Sequence, residues 1–338
     1  MTDGSDDALD AEAIDRLVRE ATGWRVADAV PAETGTDAVW LLDLDPRGSP
    51  DPAAPDRAVL KYATFVDDER FRVEPSLLRL VGRETDVPVP SVYTEGRDDG
   101  TPYVVLEHRT GETREGGMRS LPPAVQRGVA ADAGRHLAAI HDRRTFDAPG
   151  TFARDGEDGL RVAEPFDDWP AMFAALVEGH ADGFGERFAA LADRVAAAAA
   201  DPPTALAGAT PVLVHDDYRL GNLLIDPDAA ASPVGTVLDW GAAMAAPAGF
   251  DLAKTEDYLC HHAPLDAPLR ERVRTALESA YRRRRGGLPD RYGERREPYL
   301  LSSRAAACEW FDLWYADAGD DERERIAERH RTALRRLL

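Results

Sequence analysis

The feature that most constrains the fold is a change of hydrophobic period near residues 107–111. Before it, apolar residues come in short runs that suit strands, from Ala38 to Leu44, Arg57 to Ala63 and Tyr103 to Glu107. Two helical stretches accompany them. Residues 9–22 place Leu9, Ala13, Ile14, Leu17 and Val18 at helical spacing and stop at Gly23, and residues 67–82 do the same with Phe71, Leu77, Leu78 and Leu80. VPVPSVYTEG reads as extended, because a residue before proline is pushed out of the helical region. After the break the chain becomes alanine-rich and helical in period over 121–141, 166–200, 268–284 and 297–315, with strand-like runs only at Pro211 to Val214 and Val234 to Leu238. The expected architecture is α+β, with a small β-rich unit (1–107) followed by a larger, mainly helical one (108–338). Residues 1–8 are polar and expected to be disordered.

Composition narrows the partners. A formal net charge of −21 argues against nucleic acid, whose phosphates would repel such a surface. The one basic run, Arg282 to Arg285, reads as the closing turn of a helix. No apolar run reaches the roughly eighteen residues of a membrane span. The acidic opening residues lack the basic-then-apolar order of a secretory signal, so a cytoplasmic location is expected. Cys260 and Cys308 form no metal-ligand spacing. The cations are lopsided, with two lysines, Lys61 and Lys254, against thirty-nine arginines. Together with the acid excess this suits a protein adapted to high salt, which screens self-repulsion, and an unfolding series should show stability rising with salt. It also raises the question of what arginine could not do where a lysine survives.

The chemistry is concentrated in VLVHDDYRLGNLLID (212–226) and VGTVLDWG (234–241). Each polar cluster leaves a short apolar strand. Asp217 and Asn222 lie five apart across one loop, and Asp239 opens another. A carboxylate and an amide from one loop and a carboxylate from a second are the hard oxygen ligands that Mg²⁺ prefers, and phosphoryl transfer needs a further group to orient a hydroxyl.

H-x-D-x-x-x-x-N followed by D-x-G resembles the catalytic and metal-binding pair of the aminoglycoside phosphotransferase family, within the protein-kinase-like superfamily. The resemblance runs from about residue 25 to 260 and implies a two-lobed kinase-like fold that uses ATP and Mg²⁺ to phosphorylate a small molecule. It casts Asp217 as the catalytic base, Asn222 and Asp239 as metal ligands, and His215 and Asp251 as structural supports of the loop. Upstream it casts Lys61, in AVLK, as the lysine on the α- and β-phosphates and Glu74 as its partner. Glu107 falls in the adenine-contacting strand and hinge YVVLEH, and Thr36 in the weakly marked phosphate loop 33–37. VPVP (87–90) and His141, in LAAIH, also match family positions. Where the family carries glycine before the base, this chain has Asp216, a carboxylate that either crowds the base or points to solvent. Arg219 is a candidate for the γ-phosphate or the acceptor.

Plainer readings stand beside these. His141 and Asp251 are expected to be structural, and Lys254 to be a surface residue. Trp310, Phe311, Trp314 and Tyr315 fit a core face. With Asp312 among them, Trp310 and Trp314 also fit a wall of the acceptor pocket. The acceptor is expected to be aminoglycoside-, sugar-, choline- or amino-alcohol-like. A metal phosphohydrolase built on His141-Asp142 and His215-Asp216, or an ATP-binding protein without turnover, are the alternatives.

Overall fold

The computed structural model describes residues 9–32, 37–45, 54–64, 68–113, 117–156, 159–261 and 263–338. They group into two compact units, one of residues 1–84, 88–110 and 153–161, the other of 85–87, 111–152 and 162–338. The single break expected at 107–111 therefore omits two short exchanges, at 85–87 and 153–161.

In the first unit, α1 (Ala11–Thr22) starts where the Asp10 carboxylate accepts the Ala13 N–H at 2.8 Å. It stops at Gly23, whose φ of 78° is one that glycine adopts at no steric cost. The stripe Ile14, Leu17 and Val18 packs with Trp24, Trp40, Leu42, Leu60 and Val105 as the core. The sheet is antiparallel, in the order β1-β2-β3-β5-β4, from β1 (Val26–Pro31), β2 (Ala38–Leu44), β3 (Arg57–Tyr62), β4 (Val92–Asp98) and β5 (Thr101–Glu107). On β2, Trp40, Leu42 and Leu44 turn inward while Asp43 faces solvent, the alternation a half-buried strand requires. α2 (Asp68–Glu84) lies between β3 and β4 in sequence. Strand β1 was not foreseen because it is an edge strand with no buried side chain, so it shows no alternation.

The second unit opens with α3 (Pro123–His141). Strand β6 (Gly150–Asp155) begins here and passes into the first unit at 153, and β7 (Gly159–Val162) returns at 162, ahead of α4 (Trp169–Asp182) and α5 (Ala189–Ala200). Next come β8 (Pro211–Val214), the paired β9 (Leu223–Ile225) and β10 (Val234–Val237), and β11 (Met244–Pro247). The helices α6 (Ala248–Leu259), α7 (Pro268–Arg285), α8 (Tyr292–Glu309), the single turn α9 (Phe311–Trp314) and α10 (Asp320–Leu337) complete it. Within this unit β11 pairs antiparallel with β8, and with the start of β6 at Gly150 and Thr151. α3 and α7 approach so closely at Gly134 that a Cβ there would stand 2.2 Å from the Leu277 carbonyl oxygen.

Two expectations need correction. The helix predicted over 166–200 is α4 and α5, broken around Gly183 and Gly185, where a Cβ on Gly183 would meet Glu309 at 2.7 Å. The helix predicted over 297–315 starts five residues earlier and breaks at Trp310. Strands β6, β7, β9 and β11 lie outside the two strand-like runs expected here, and β11, Met-Ala-Ala-Pro, lacks the β-branched residues that mark strands. α10 escaped notice because its inward face relies on Ala327, His330 and Ala333 beside Ile326 and Leu334. The α+β class holds. Among the described residues no helix is long and apolar enough to cross a membrane.

Candidate active site

In the first unit, β3 carries Lys61 near its end, and its ammonium lies 2.6 Å from Glu74 Oε2 on α2, with both side chains largely shielded from water. Glu107 ends β5. Its carboxylate accepts from the Ser91 N–H and hydroxyl and from Arg109, and these bonds outweigh burial to hold its pKa below the usual carboxylate range. Thr36, with residues 33–35, lies outside the described residues.

In the second unit, the site begins where β8 runs into His215. The ring of His215 accepts the Asp217 N–H on Nδ1 at 3.2 Å, so the ring proton sits on Nε2 and is donated to the Leu238 carbonyl at 3.1 Å. One neutral imidazole thus ties the residue that follows β8 to the residue before Asp239. Trp240 closes over it edge-on at 4.6 Å between ring centres. The turn Leu220–Asn222 then brings the chain back. Asn222 Nδ2 donates to the Asp217 carbonyl at 2.9 Å and to Asp217 Oδ2 at 2.7 Å, while the Asn222 carbonyl accepts from the Leu238 N–H at 2.8 Å. Arg219 Nε reaches the same Asp217 oxygen at 3.2 Å, and its guanidinium lies 5.4 Å from the Trp314 ring. Asp216 and Asp239 both have left-handed backbones, with φ of 68° and 59°, so each loop turns sharply at an acidic residue.

Asp251, fully buried on α6, supports this loop. Its Oδ2 accepts the His215 N–H at 2.9 Å and His141 Nε2 at 3.1 Å, and its Oδ1 accepts the Asp216 N–H at 3.1 Å. Burial works against the charge, but His141 and the other donors prevail and lower the carboxyl pKa below its ordinary value. His141 Nδ1 in turn contacts the Tyr281 hydroxyl at 3.0 Å, and burial pushes that phenol up to about 12.

The expectation for Lys254 is overturned. Rather than lying on the surface, it is buried on α6 with its Nζ 2.7 Å from Asp216 Oδ1. Burial disfavours its charge, yet Asp216 outweighs that cost and raises its pKa. The Asp216 carboxylate, expected either to crowd Asp217 or to point to solvent, is therefore buried and paired. The sequence held a signal for this pair. Lys254 is one of two lysines and stands three residues after Asp251, on the same helical face. Two other participants were missed. Tyr258 meets the Trp314 ring edge-on at 5.5 Å, and His136 Nδ1 lies 2.8 Å from the Tyr218 hydroxyl beneath the loop.

Of the residues expected at the acceptor pocket, Arg219 and Trp314 are together, whereas Trp310 is over a third exposed and Asp312 forms an ion pair with Arg323 of α10. Glu309 is likewise engaged, by His180 at 2.6 Å. Both nitrogens of His141 and both of His215 are spent on hydrogen bonds, which leaves neither ring free to ligate a metal. Among the described residues no group of three or more His, Cys, Asp or Glu side chains is arranged to hold one.

Macrolide 2'-phosphotransferase MphH from Brachybacterium faecium superposes with a TM-score of 0.58 at 20% identity, over 94% of this chain and 97% of that one. Aminoglycoside phosphotransferase APH(3'')-Id from Streptomyces rimosus, solved with ADP and streptomycin, gives 0.54 at 18% identity, over 88% and 99%. At these identities the likeness is one of fold, the kinase-like α+β fold. In sequence, an Arabidopsis thaliana protein named "Probable acyl-CoA dehydrogenase IBR3" is 27% identical over 242 residues, 70% of this chain, which spans only 27% of that protein's length. The sequence pattern of the phosphotransferase enzyme family matches residues 28–288, most of the chain and all of the loops described above, and the protein belongs to that family.

Proposed function

We propose that the protein transfers the γ-phosphoryl group of ATP to a hydroxyl of a small molecule, with Mg²⁺, and that it works in the cytoplasm. One observation carries this reading. Asn222 crosses the loop to Asp217 and is bonded through its main chain to Leu238, so Asn222 and Asp239 are presented from adjacent positions. With Nδ2 spent on Asp217, Asn222 keeps Oδ1 for a ligand. Two protein oxygens suit Mg²⁺, which retains several waters and takes the rest of its shell from substrate phosphates. Bound by Asn222 and Asp239, the ion would neutralise charge on the phosphate oxygens.

The remaining roles belong to the chain's own groups. Asp217 Oδ2 already receives Asn222 and Arg219, so Oδ1 is available to orient the acceptor hydroxyl and take its proton. His215 and Asp251 hold that carboxylate in place. Lys61, steadied by Glu74, serves the α- and β-phosphates, Thr36 the loop over them, and the main chain around Glu107 the adenine. ATP as donor is supported by the ADP held by the Streptomyces rimosus relative. The acceptor is an aminoglycoside-, sugar-, choline- or amino-alcohol-like molecule rather than nucleic acid, with Arg219 and Trp314 beside it. Trp310 and Asp312 would take a more distant part, since Asp312 is already neutralised by Arg323.

The test is a screen of a small-molecule extract with ATP and Mg²⁺ at high salt, read by mass spectrometry for gain of one phosphoryl group. Wild type should yield a phosphorylated product, and Asp217→Asn should lower its rate by about 10²–10⁴-fold. Equal rates for the two proteins, or failure of the wild type to bind Mg-ATP, would overturn the reading.

A further inference from the structure

Helix α6 grips the loop after β8 at three points. Asp251 takes the main-chain N–H groups of His215 and Asp216, and Lys254, one turn further on, takes the side chain of Asp216. Two of these three contacts converge on Asp216. That residue has a φ of 68°, a conformation that a residue with a Cβ resists and that glycine adopts freely. Its dihedral angles set the direction in which the chain proceeds into Asp217. The residue that aims Asp217 is thus in an unfavourable conformation, and it is held there by a buried ion pair.

The surroundings of Lys254 favour one fixed position for its ammonium. The side chain is 7% exposed, and Nζ lies 5.4 Å and 5.3 Å from the ring centres of Phe250 and Tyr258, with Asp216 Oδ1 at 2.7 Å. A compact ammonium fits between two rings and a carboxylate, whereas a planar guanidinium needs a wider slot and more acceptors. In a chain with thirty-nine arginines, this accounts for one of its two lysines.

We infer that Lys254 is a positioning residue for phosphoryl transfer. By pairing with Asp216 it holds the loop in the left-handed turn that directs Asp217 towards the reacting hydroxyl. This rests on the reading of Asp217 as the base. The pair does together what a glycine at 216 would do alone. Removing the lysine therefore releases the turn, and replacing Asp216 by glycine as well restores it.

The experiment compares wild type, Lys254→Met, the double variant Asp216→Gly/Lys254→Met, and Asp217→Asn. Turnover is measured with Mg-ATP and water as acceptor, well below each melting temperature, and amide hydrogen exchange is followed in a peptide covering 212–222. Lys254→Met should lower kcat about tenfold or more while the KM for ATP stays within about twofold, because the base is misaimed and the nucleotide is untouched. Exchange at 215–217 should accelerate in Lys254→Met and slow again in the double variant, whose kcat should recover to within about threefold of wild type. A folded Lys254→Met with wild-type kcat and exchange would reduce the pair to a structural contact and overturn the inference. So would a double variant no better than Lys254→Met. Asp217→Asn separates the two readings. If it keeps its turnover, the assignment of the base fails, while the exchange data still decide whether Lys254 holds the turn.

Discussion

Asp251 and Asp257 lie six residues apart on α6, and both are fully buried, yet they are satisfied in opposite ways. Asp251 is held by two main-chain N–H groups and the His141 imidazole. Asp257 is held by two arginines, Arg270 of α7 at 2.6 Å and Arg304 of α8 at 2.7 Å, with Ser303 at 2.8 Å. Against the cost of burial, those arginines hold the Asp257 carboxyl far below the usual range. The two ends of one helix thus have different tasks. Arginine partners on two other helices staple three helices together, while the main-chain donors of the loop after β8 let Asp251 fix that loop's direction. Buried charge by itself therefore says nothing about function. What the partner is attached to decides it.

The largest effect that could break this comparison is expected at the staple. Asp257→Asn leaves two buried guanidinium groups facing no carboxylate and should cost about 3–5 kcal/mol of stability in urea unfolding. Turnover per folded molecule should be little changed. A variant that unfolds like wild type would mean that Arg270 and Arg304 find other acceptors.

A somewhat smaller effect appears on acidification. Burial depresses His136 from 6.5 to about 4. The native state keeps it neutral while the unfolded chain protonates, so its contribution is complete above pH 6.5 and is lost as the pH falls through about 4. The shift corresponds to about 3 kcal/mol. Asp251 and Asp257, whose carboxyls are lowered from 3.8, should lose their contributions only below that value. Asp132 and Asp216, raised by burial, act in the opposite direction. Comparing the urea midpoints of wild type and His136→Gln at pH 7 and 4.5 isolates the histidine, and equal slopes in the two proteins would remove it from the account.

The smallest change in stability is expected at the positioning end. Asp251→Asn retains an acceptor but presents an NH₂ group to donors, for about 1–3 kcal/mol. Here turnover should fall well beyond the loss of folded protein, because His215 and Asp216 lose their common anchor. If Asp251→Asn and Asp257→Asn reduce turnover per folded molecule equally, the division of labour along α6 is wrong.

Much of the fold was legible because its determinants are local. β2, β3, α1 and α7 announce themselves through period, cap residues and breakers, all readable within a dozen residues. Of the elements that escaped, β1, β11 and α10 have side chains that carry little periodic contrast, and β6, β7, β9 and the extent of α6 went unread beside them. The candidate site divides in the same way. In the second unit its order along the chain, from His215, Asp217 and Asn222 to Asp239 and Asp251, is written in short spacings that resemble a family pattern. What the sequence could not decide is which buried groups share a hydrogen bond. Lys254 read as surface because nothing within its own helix demands that a lysine be buried. Its partner is thirty-eight residues away in the chain and is brought to it by the packing of α6 beneath β8. The choice between a solvated and a buried Asp216, and the left-handed turn that comes with it, was made only when tertiary contacts removed water from that carboxylate and left a single ammonium to replace it.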